Sequence, residues 1–468
     1  MPPKPTHTVT GVDSNTTITI DYSTCMGCGM CGRICSDSQL VGAFKASAPK
    51  QPPQVISKSG DSSGNTDTTR IKLDSSNCIG CGQCITVCGF GSIYPTSRVS
   101  EIWEAKQAGK KLIAVLAPAT RVGLSESMGQ EPGTTCEAQL IKSLRDIGFD
   151  YIFDNLWGAD ATTIEDAKEA IYAKEKGIGP VFTSCCPAWI NVVENKYPSL
   201  IPKISTSRSP HGIICSTIKK HWVKEIGLNA EDICVVGFMP CTAKKDEALR
   251  QELMTNGVAD CDISVTTREM ADIFKNRKFI FSIEHEQELK DTKEGQFDAP
   301  FNNYSGSAYI FGKTAGVTEA VLRFICSLKN VPCDMAQAKV ETLFTHKDNV
   351  QTVKVFEMNI RGEIYRAAVA HGGVAVDELV KLVESGSLKC DICEIMMCPL
   401  GCQNGGGQPR QMKKPLLTKR ADALDEHDKA SVYSDCESNK ALHDYMDKYM
   451  PTEHNVHEVF HTYFTAKK

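Results

Sequence analysis

Cysteines recur at the spacing Cys25-x-x-Cys28-x-x-Cys31-x-x-x-Cys35 and again as Cys78-x-x-Cys81-x-x-Cys84-x-x-x-Cys88, and no other feature restricts the fold as tightly. Three thiols at successive two-residue gaps crowd a single zinc ion, whereas they fit the corners of a 4Fe-4S cube. A pair of zinc ribbons, which also use Cys-x-x-Cys, is the competing reading. The chain holds 22 cysteines in 468 residues. At this length a hydrophobic core needs no disulfides, and a reducing compartment would not form them. The spacing therefore points to metal.

In two-cluster ferredoxins the fourth cysteine of each run ligates the other cluster. Applied to this repeat, Cys25, Cys28, Cys31 and Cys88 hold one cube, and Cys78, Cys81, Cys84 and Cys35 the second. Ser36 and Gly89 stand where proline usually follows the fourth cysteine, which weakens the local turn signal but removes no ligand. Residues 46–70, rich in Ser, Pro, Asp, Gly and Thr, resemble a surface loop between the two runs. A small α+β ferredoxin-like domain is expected over residues 1–98.

Composition excludes several partners. The formal charge is −5, with 23% charged and 41% hydrophobic residues, so no basic face for nucleic acid is indicated. No apolar run approaches the ~18 residues of a membrane span. Residues 1–24 contain one lysine, no arginine and no apolar core. Neither a secretory signal nor an arginine-rich transit peptide is evident, so a cytoplasmic location is expected over a hydrogenosomal one. Two to four domains fit the length.

Three more cysteine motifs follow. In Thr183-Ser184-Cys185-Cys186-Pro187-Ala188-Trp189, two thiols sit where an apolar strand, Val181-Phe182, turns into a helix whose first turn suits Pro187. Backbone N–H groups there favour a thiolate; two buried structural cysteines are the plainer alternative. In Met239-Pro240-Cys241 a cysteine again ends a strand. Cys393 to Pro409 offers Cys398 and Cys402 four apart, on one face if helical, then Gly405-Gly406-Gly407. Glycine lets backbone approach a bulky group, so this stretch reads as a loop wrapped against a cofactor. Cys186, Cys241, Cys398 and Cys402 make four thiolates, the complement of a third cube, with Cys185 left over.

From Ser100 helical and strand patterns alternate: a helix near Glu101 to Ala108, a strand over Leu112 to Ala117, helices at Cys136 to Ile147 and around Thr162 to Ile171. Alternation implies parallel sheet, with ligands at the carboxyl ends of the strands. Ala117-Pro118, Cys185-Cys186 and Met239-Pro240-Cys241 all occupy that position. The expected fold is an α/β domain over 99–409, with lobes at 99–227 and 228–409. Gly312-Lys313-Thr314 lacks the upstream glycine of a phosphate loop. Residues 410–468 are highly charged. His454, His457 and His461 could form a zinc site but read better as part of a surface helix.

The three motifs resemble the signature segments of the iron-only (FeFe) hydrogenases, from about Ile113 to the C-terminus, and the N-terminal repeat is similar to the accessory cluster domain many of them carry. The resemblance implies an H-cluster: the cube on Cys186, Cys241, Cys398 and Cys402 joined, most plausibly through Cys402, to a two-iron unit with carbon monoxide, cyanide and dithiolate ligands. It implies that Lys244 hydrogen-bonds a cyanide, although beside Lys245 a solvated lysine is the plain alternative. Ala117, Pro118, Met239, Phe311 and Met396 would surround the two-iron unit. Cys185 would deliver the proton, reached through Asp166, Ser205 and Glu169, and residues 410–468 would wrap the lobes. Partners implied are ferredoxin or a similar electron carrier, protons and H2, and the hydrogenase maturation proteins. For Glu165, Thr162-x-x-Glu165 supplies a capping-box reading.

Departures from the family pattern are Asp166, where glutamate is usual, Met397, where a small residue is usual, and His211, where glutamine is common. The rival reading is a non-enzymatic, hydrogenase-like iron-sulfur assembly protein. Such relatives typically lack the complete double repeat and the extra cysteine, both present here. A hydrogen-sensing member would usually carry an added signalling domain, and none is visible.

Overall fold

Four short runs rich in β-branched residues pair into a sheet that is parallel throughout, ordered Ile263–Thr266, Ile233–Met239, Lys111–Leu116, Tyr151–Asp154. The computed structural model describes residues 12–46, 71–410 and 414–467. All seven residues of Ile233–Met239 are buried, as a central strand covered by helices on both faces requires. A second sheet is mixed, ordered Lys339–Thr345, Thr352–Ile360, Glu363–His371, Ile392–Met396, Val181–Phe182. Its first two pairings are antiparallel and its last two parallel.

The two lobes are thus real, but the boundary at 227/228 is not. Strands at 233–239 and 263–266 belong to the sheet of the first lobe, while Val181–Phe182 edges the second. The physical reason is edge availability. Tyr151–Asp154 occupies one side of Lys111–Leu116, and the chain returns to fill the other side only after contributing to the second sheet.

Helices begin where the sequence permits. Pro118 and Pro187 each occupy a first helical turn, in Pro118–Ser127 and Pro187–Lys196, where the missing N–H costs nothing. The capping box at Thr162 and Glu165 does not form. The helix runs Leu156–Lys176 and starts a turn and a half earlier, so both residues are mid-helix; Thr162 donates to the Arg208 carbonyl at 3.3 Å instead.

The N-terminal unit has a three-stranded sheet (Val12–Ser14, Ile18–Asp21, Ile93–Pro95), a two-stranded one (Phe44–Ala46, Ile71–Leu73) and its own small core around Ile18, Phe44, Ile85 and Ile93. Most of the 46–70 loop lies outside the described residues, as do residues 1–11, 411–413 and 468. This unit is seated on the larger α/β part by Thr242 Oγ1 donating to the Gly80 carbonyl at 2.6 Å and by Gln83 Nε2 donating to the Asn404 carbonyl at 3.0 Å. Backbone meets backbone at Gly82 and Gly406: a Cβ on Gly406 would lie 2.5 Å from the Gly82 Cα.

Residues beyond 410 wrap the body. Arg420, fully buried, donates to the carbonyls of Gln403 and Pro409 at 2.8 and 3.0 Å and to Glu126 at 2.8 Å. The Glu453–Phe460 helix leads into residues held against 206–208: Arg208 N donates to Phe460 O at 2.7 Å and Thr462 N to Thr206 O at 2.8 Å. His454 and His457 lie exposed on that helix, but His461 follows it and is buried. Among the described residues no helix is long and apolar enough to cross a membrane.

Gly406→Ala should destabilise the seated N-terminal unit by about 1–3 kcal/mol, the usual cost of overpacking. The check is a lower melting temperature with faster proteolytic release of the first hundred residues. An unchanged melting temperature and digestion pattern would show that this backbone contact is not tight.

Candidate functional site

The carboxyl ends of strands from both sheets converge on one cavity of about 80 Å³. Lys111–Leu116 delivers Ala117 and Pro118, Ile233–Met239 delivers Met239 and Cys241, Val181–Phe182 delivers Cys185 and Cys186, and Ile392–Met396 delivers Met396, Cys398 and Cys402. Phe311 and Lys244 complete the expected lining. Asp166, Ser205 and Glu169 lie behind this wall.

Hydrogen bonds fix the double-cysteine turn. Thr183 N donates to the Cys393 carbonyl at 2.9 Å, Ile395 N donates to Thr183 Oγ1 at 3.2 Å, and the Ser184 hydroxyl donates to the Ser207 carbonyl. Cys186 is the N-cap of the Pro187–Lys196 helix. Burial pushes its thiol up, and backbone N–H groups of Met397, Trp189 and Ala188 partly oppose this. Cys185 gains no such help. Burial and the neighbouring Asp166 drive its pKa well up, so it stays a thiol. The helix terminus therefore does not favour a thiolate at Cys185, because desolvation outweighs the dipole there.

Behind Cys185, Asp166 is wholly buried. Burial pushes its pKa up to about 8, against the Ser205 hydroxyl, which donates to Oδ1 at 2.6 Å, and with help from the nearby Glu169 and Glu165 charges. Ser205 is placed by its own N–H, which donates to the Phe182 carbonyl at 2.8 Å. Glu169 accepts from the Thr206 N–H, 3.1 Å from each carboxylate oxygen, and from the Thr206 hydroxyl.

On the opposite wall Lys244 is buried and not solvated, as is Lys245. Lys244 Nζ donates to both oxygens of Glu247 at 2.7 and 3.0 Å and to Ser209 Oγ at 2.7 Å. Against burial, the charges of Lys244 and His211 hold Glu247 down at about 2. His211 Nδ1 lies 3.3 Å from Glu247 Oε2. The ligand atoms of His211, Cys215 and Cys261 lie within 4.8 Å of one another. That is three donors, one short of the four a closed zinc site uses.

The residues fit an iron-sulfur group. Cys186, Cys241, Cys398 and Cys402 are all soft sulfur donors around one cavity; burial pushes each pKa up, and for Cys241, Cys398 and Cys402 the neighbouring thiols add to it. Without a partner they stay neutral thiols; as thiolates they would need a bound cation or cluster to balance their charge. The Asn155 amide lines the same cavity with its Oδ1 buried and without a hydrogen-bond partner. In the N-terminal unit, Cys31 has Cys25, Cys28 and Cys88 as charged neighbours, and Cys81 has Cys35 and Cys78. Cys81 also senses Cys241.

Some outcomes differ from the sequence reading. Cys398 and Cys402 do not share a helix face: Ile392–Met396 is a strand and Cys402 opens a short 3-10 turn. Gly406 and Gly407 give room to Gly82, Thr266 and Pro240, while Gly405 alone of the three lines the cavity. Met397 lies outside the lining, in the apolar cluster shared with Ile79. Asn155 and Pro210 line the cavity and were missed; Asn155 follows the Tyr151–Asp154 strand, so the carboxyl-end rule could have found it.

Comparison with known proteins agrees with this geometry. Residues 110–406 match the family model "Iron only hydrogenase large subunit, C-terminal domain", and residues 24–92 match a 4Fe-4S dicluster domain. The chain is 31% identical to the NADP-reducing hydrogenase subunit HndD of Solidesulfovibrio fructosivorans, over 97% of this chain and 76% of that protein. It is 31% identical to iron hydrogenase 1 of Clostridium pasteurianum, over 96% and 76%. Protein NAR1 of Arabidopsis thaliana is 25% identical, over 74% of this chain and 76% of that protein. Among solved structures, the apo [FeFe]-hydrogenase HydA1 from Chlamydomonas reinhardtii superposes with a TM-score of 0.68 at 30% identity, covering 79% of this chain and 99% of that one.

Asp166 makes stability fall with rising pH. The unfolded carboxyl loses its proton near 3.8 and the folded one near 8, so between these values the native state binds more protons and is progressively disfavoured. Asp166→Asn should remove this slope. The measurement is the wild-type minus variant stability from pH 4 to 8, and a constant difference would show a carboxyl that titrates normally.

Proposed function

The chain belongs to the iron-only hydrogenase family, and from that premise we propose that it is an oxidoreductase that reversibly combines two protons and two electrons into dihydrogen. Cys186, Cys241, Cys398 and Cys402 would hold the cube of an H-cluster, with Cys402 shared with the two-iron unit. That cofactor, when bound, supplies the electrons and the place where they meet protons. Everything else is work for the chain's own residues.

The observation that carries this reading is Cys185: a thiol on the cavity wall, not needed to complete the four-sulfur set, with a buried carboxyl behind it that holds its own proton at neutral pH. Cys185 would hand its proton into the cavity and reload from Asp166, which Ser205 orients, and Glu169 would resupply Asp166. Lys244, fixed by Glu247 and Ser209, presents a positive charge to anionic ligands of the cofactor. Ala117, Pro118, Met239, Phe311 and Met396 keep water out.

Electrons would enter through two 4Fe-4S clusters of the N-terminal domain, the first on Cys25, Cys28, Cys31 and Cys88, the second on Cys78, Cys81, Cys84 and Cys35, from ferredoxin or a similar carrier. The closeness of Cys81 to Cys241 supports the second as the donor to the H-cluster. The domains in this reading would span 1–98, 99–409 and 410–468, with the two sheets, not sequence halves, as the lobes. Dedicated maturation proteins would install the two-iron unit, since no side chain can donate carbon monoxide or cyanide. Similarity to NAR1 keeps the assembly-factor reading as the alternative.

Anaerobically matured protein should hold about fourteen irons per chain, three cubes and a two-iron unit, with infrared bands of metal-bound carbon monoxide and cyanide. Cubes without those bands or hydrogen evolution, even after maturation, would favour the assembly-factor reading; zinc in place of iron would defeat both.

Cys185→Ala should keep its iron and lose about 100-fold or more of hydrogen evolution, whereas Cys186→Ala should lose iron from the catalytic cube. Full activity in Cys185→Ala would hand the proton step to another group.

A further inference from the structure

We propose that the proton path continues beyond Glu169 through Thr206 to His461, so that the C-terminal segment supplies its outer station; this rests on the hydrogenase reading above.

The hydrogen bonds form an unbroken row. The Thr206 hydroxyl donates to Glu169 and lies 2.7 Å from His461 Nδ1; His461 Nε2 lies 3.1 Å from Glu165 Oε2; and Glu165 Oε1 accepts from Lys168 Nζ at 2.9 Å. The Lys168 side chain is 54% exposed while those of His461 and Glu165 are 4% and 6% exposed. The row thus runs from solvent to the carboxylate nearest the Asp166–Ser205 pair. Each member is a group that can both receive and release a proton.

The placement is enforced, not incidental. His461 forms an antiparallel bridge with Ser207, its carbonyl accepts from Arg208 Nε at 3.0 Å, and Arg208 is itself locked to Asp260 at 2.7 Å. An imidazole bonded at both nitrogens, with a carboxylate on one side and a hydroxyl on the other, is suited to take a proton at one nitrogen while releasing one from the other. The transfer balances. A proton arriving on Glu165 passes to Nε2, the proton on Nδ1 passes to the Thr206 oxygen, and the Thr206 hydroxyl proton passes to Glu169. The His457 ring, exposed, stacks on His461 at 4.0 Å and limits its freedom to swing out.

The rival role is structural, since the Glu169 side chain is itself 25% exposed and could exchange with water directly, leaving His461 merely to hold Thr206 in place. His461→Gln separates the two, because an amide can keep both hydrogen bonds but cannot carry the proton. In matured protein the variant should retain iron content and infrared bands and lose about tenfold in hydrogen evolution, with a larger solvent deuterium isotope effect. In His461→Gly, added imidazole should restore a substantial part of the rate. His454→Gln, on the exposed helix face, should match wild type.

A readout independent of turnover is the rate at which the Asp166 carboxyl exchanges its proton with D2O, followed by its infrared carbonyl stretch in protein without cofactor. It should slow in His461→Gln. Wild-type turnover and exchange in His461→Gln, or a loss in His461→Gly that imidazole leaves untouched, would overturn the relay. Wild-type protein that makes no hydrogen at all would instead overturn the function on which it rests.

Discussion

Four thiols gathered into one dry cavity are the constraint on which the rest of the structure depends. Alone, such a set is unfavourable. Burial pushes every one of the thiols toward its neutral form, helped at Cys241, Cys398 and Cys402 by repulsion from their neighbours, and a neutral thiol is a poor ligand. The fold holds them together because each sits at the carboxyl end of a strand or in the loop just after it, and two sheets point those ends at the same place. Strand pairing, which depends on backbone bonds and not on sulfur, supplies the geometry.

The cavity was legible in sequence wherever chemistry demands a residue type at a fixed spacing. Cys186, Cys241, Cys398 and Cys402 were readable because an all-sulfur donor set leaves little choice, and the lining by Ala117, Pro118, Met239, Phe311 and Met396 followed from the resemblance. What escaped was set by distant contacts. The interleaving of the two sheets depends on which strand edge is open when the chain returns, and no local pattern records that. Thr162 and Glu165 carry the letters of a helix start, yet tertiary packing begins the helix at Leu156, and Glu165 bonds His461 instead. His461 was read with His454 and His457 as part of a surface helix, for want of a fourth metal ligand nearby; it follows that helix, and its bridge to Ser207 and bond to Glu165 place it in the interior.

Buried charge is distributed with the same economy. Lys244, Glu247 and His211 form one connected group on the cavity wall, and Lys245 and Glu269 form another directly behind it. A lone buried ammonium would shed its proton. With Glu247 held down near 2, Lys244 keeps its charge in a place where a solitary lysine could not. His211 therefore acts on the site through Glu247.

The contact between Gly82 and Gly406 has a meaning beyond packing. Between the second cube and the catalytic cube proposed above, backbone meets backbone at Gly82, next to Cys81, and Gly406, with the Thr242 side chain packed beside Gly82. For the electron route proposed above, side chains at these two positions would hold the N-terminal unit, and with it the second cube, farther from the catalytic cube.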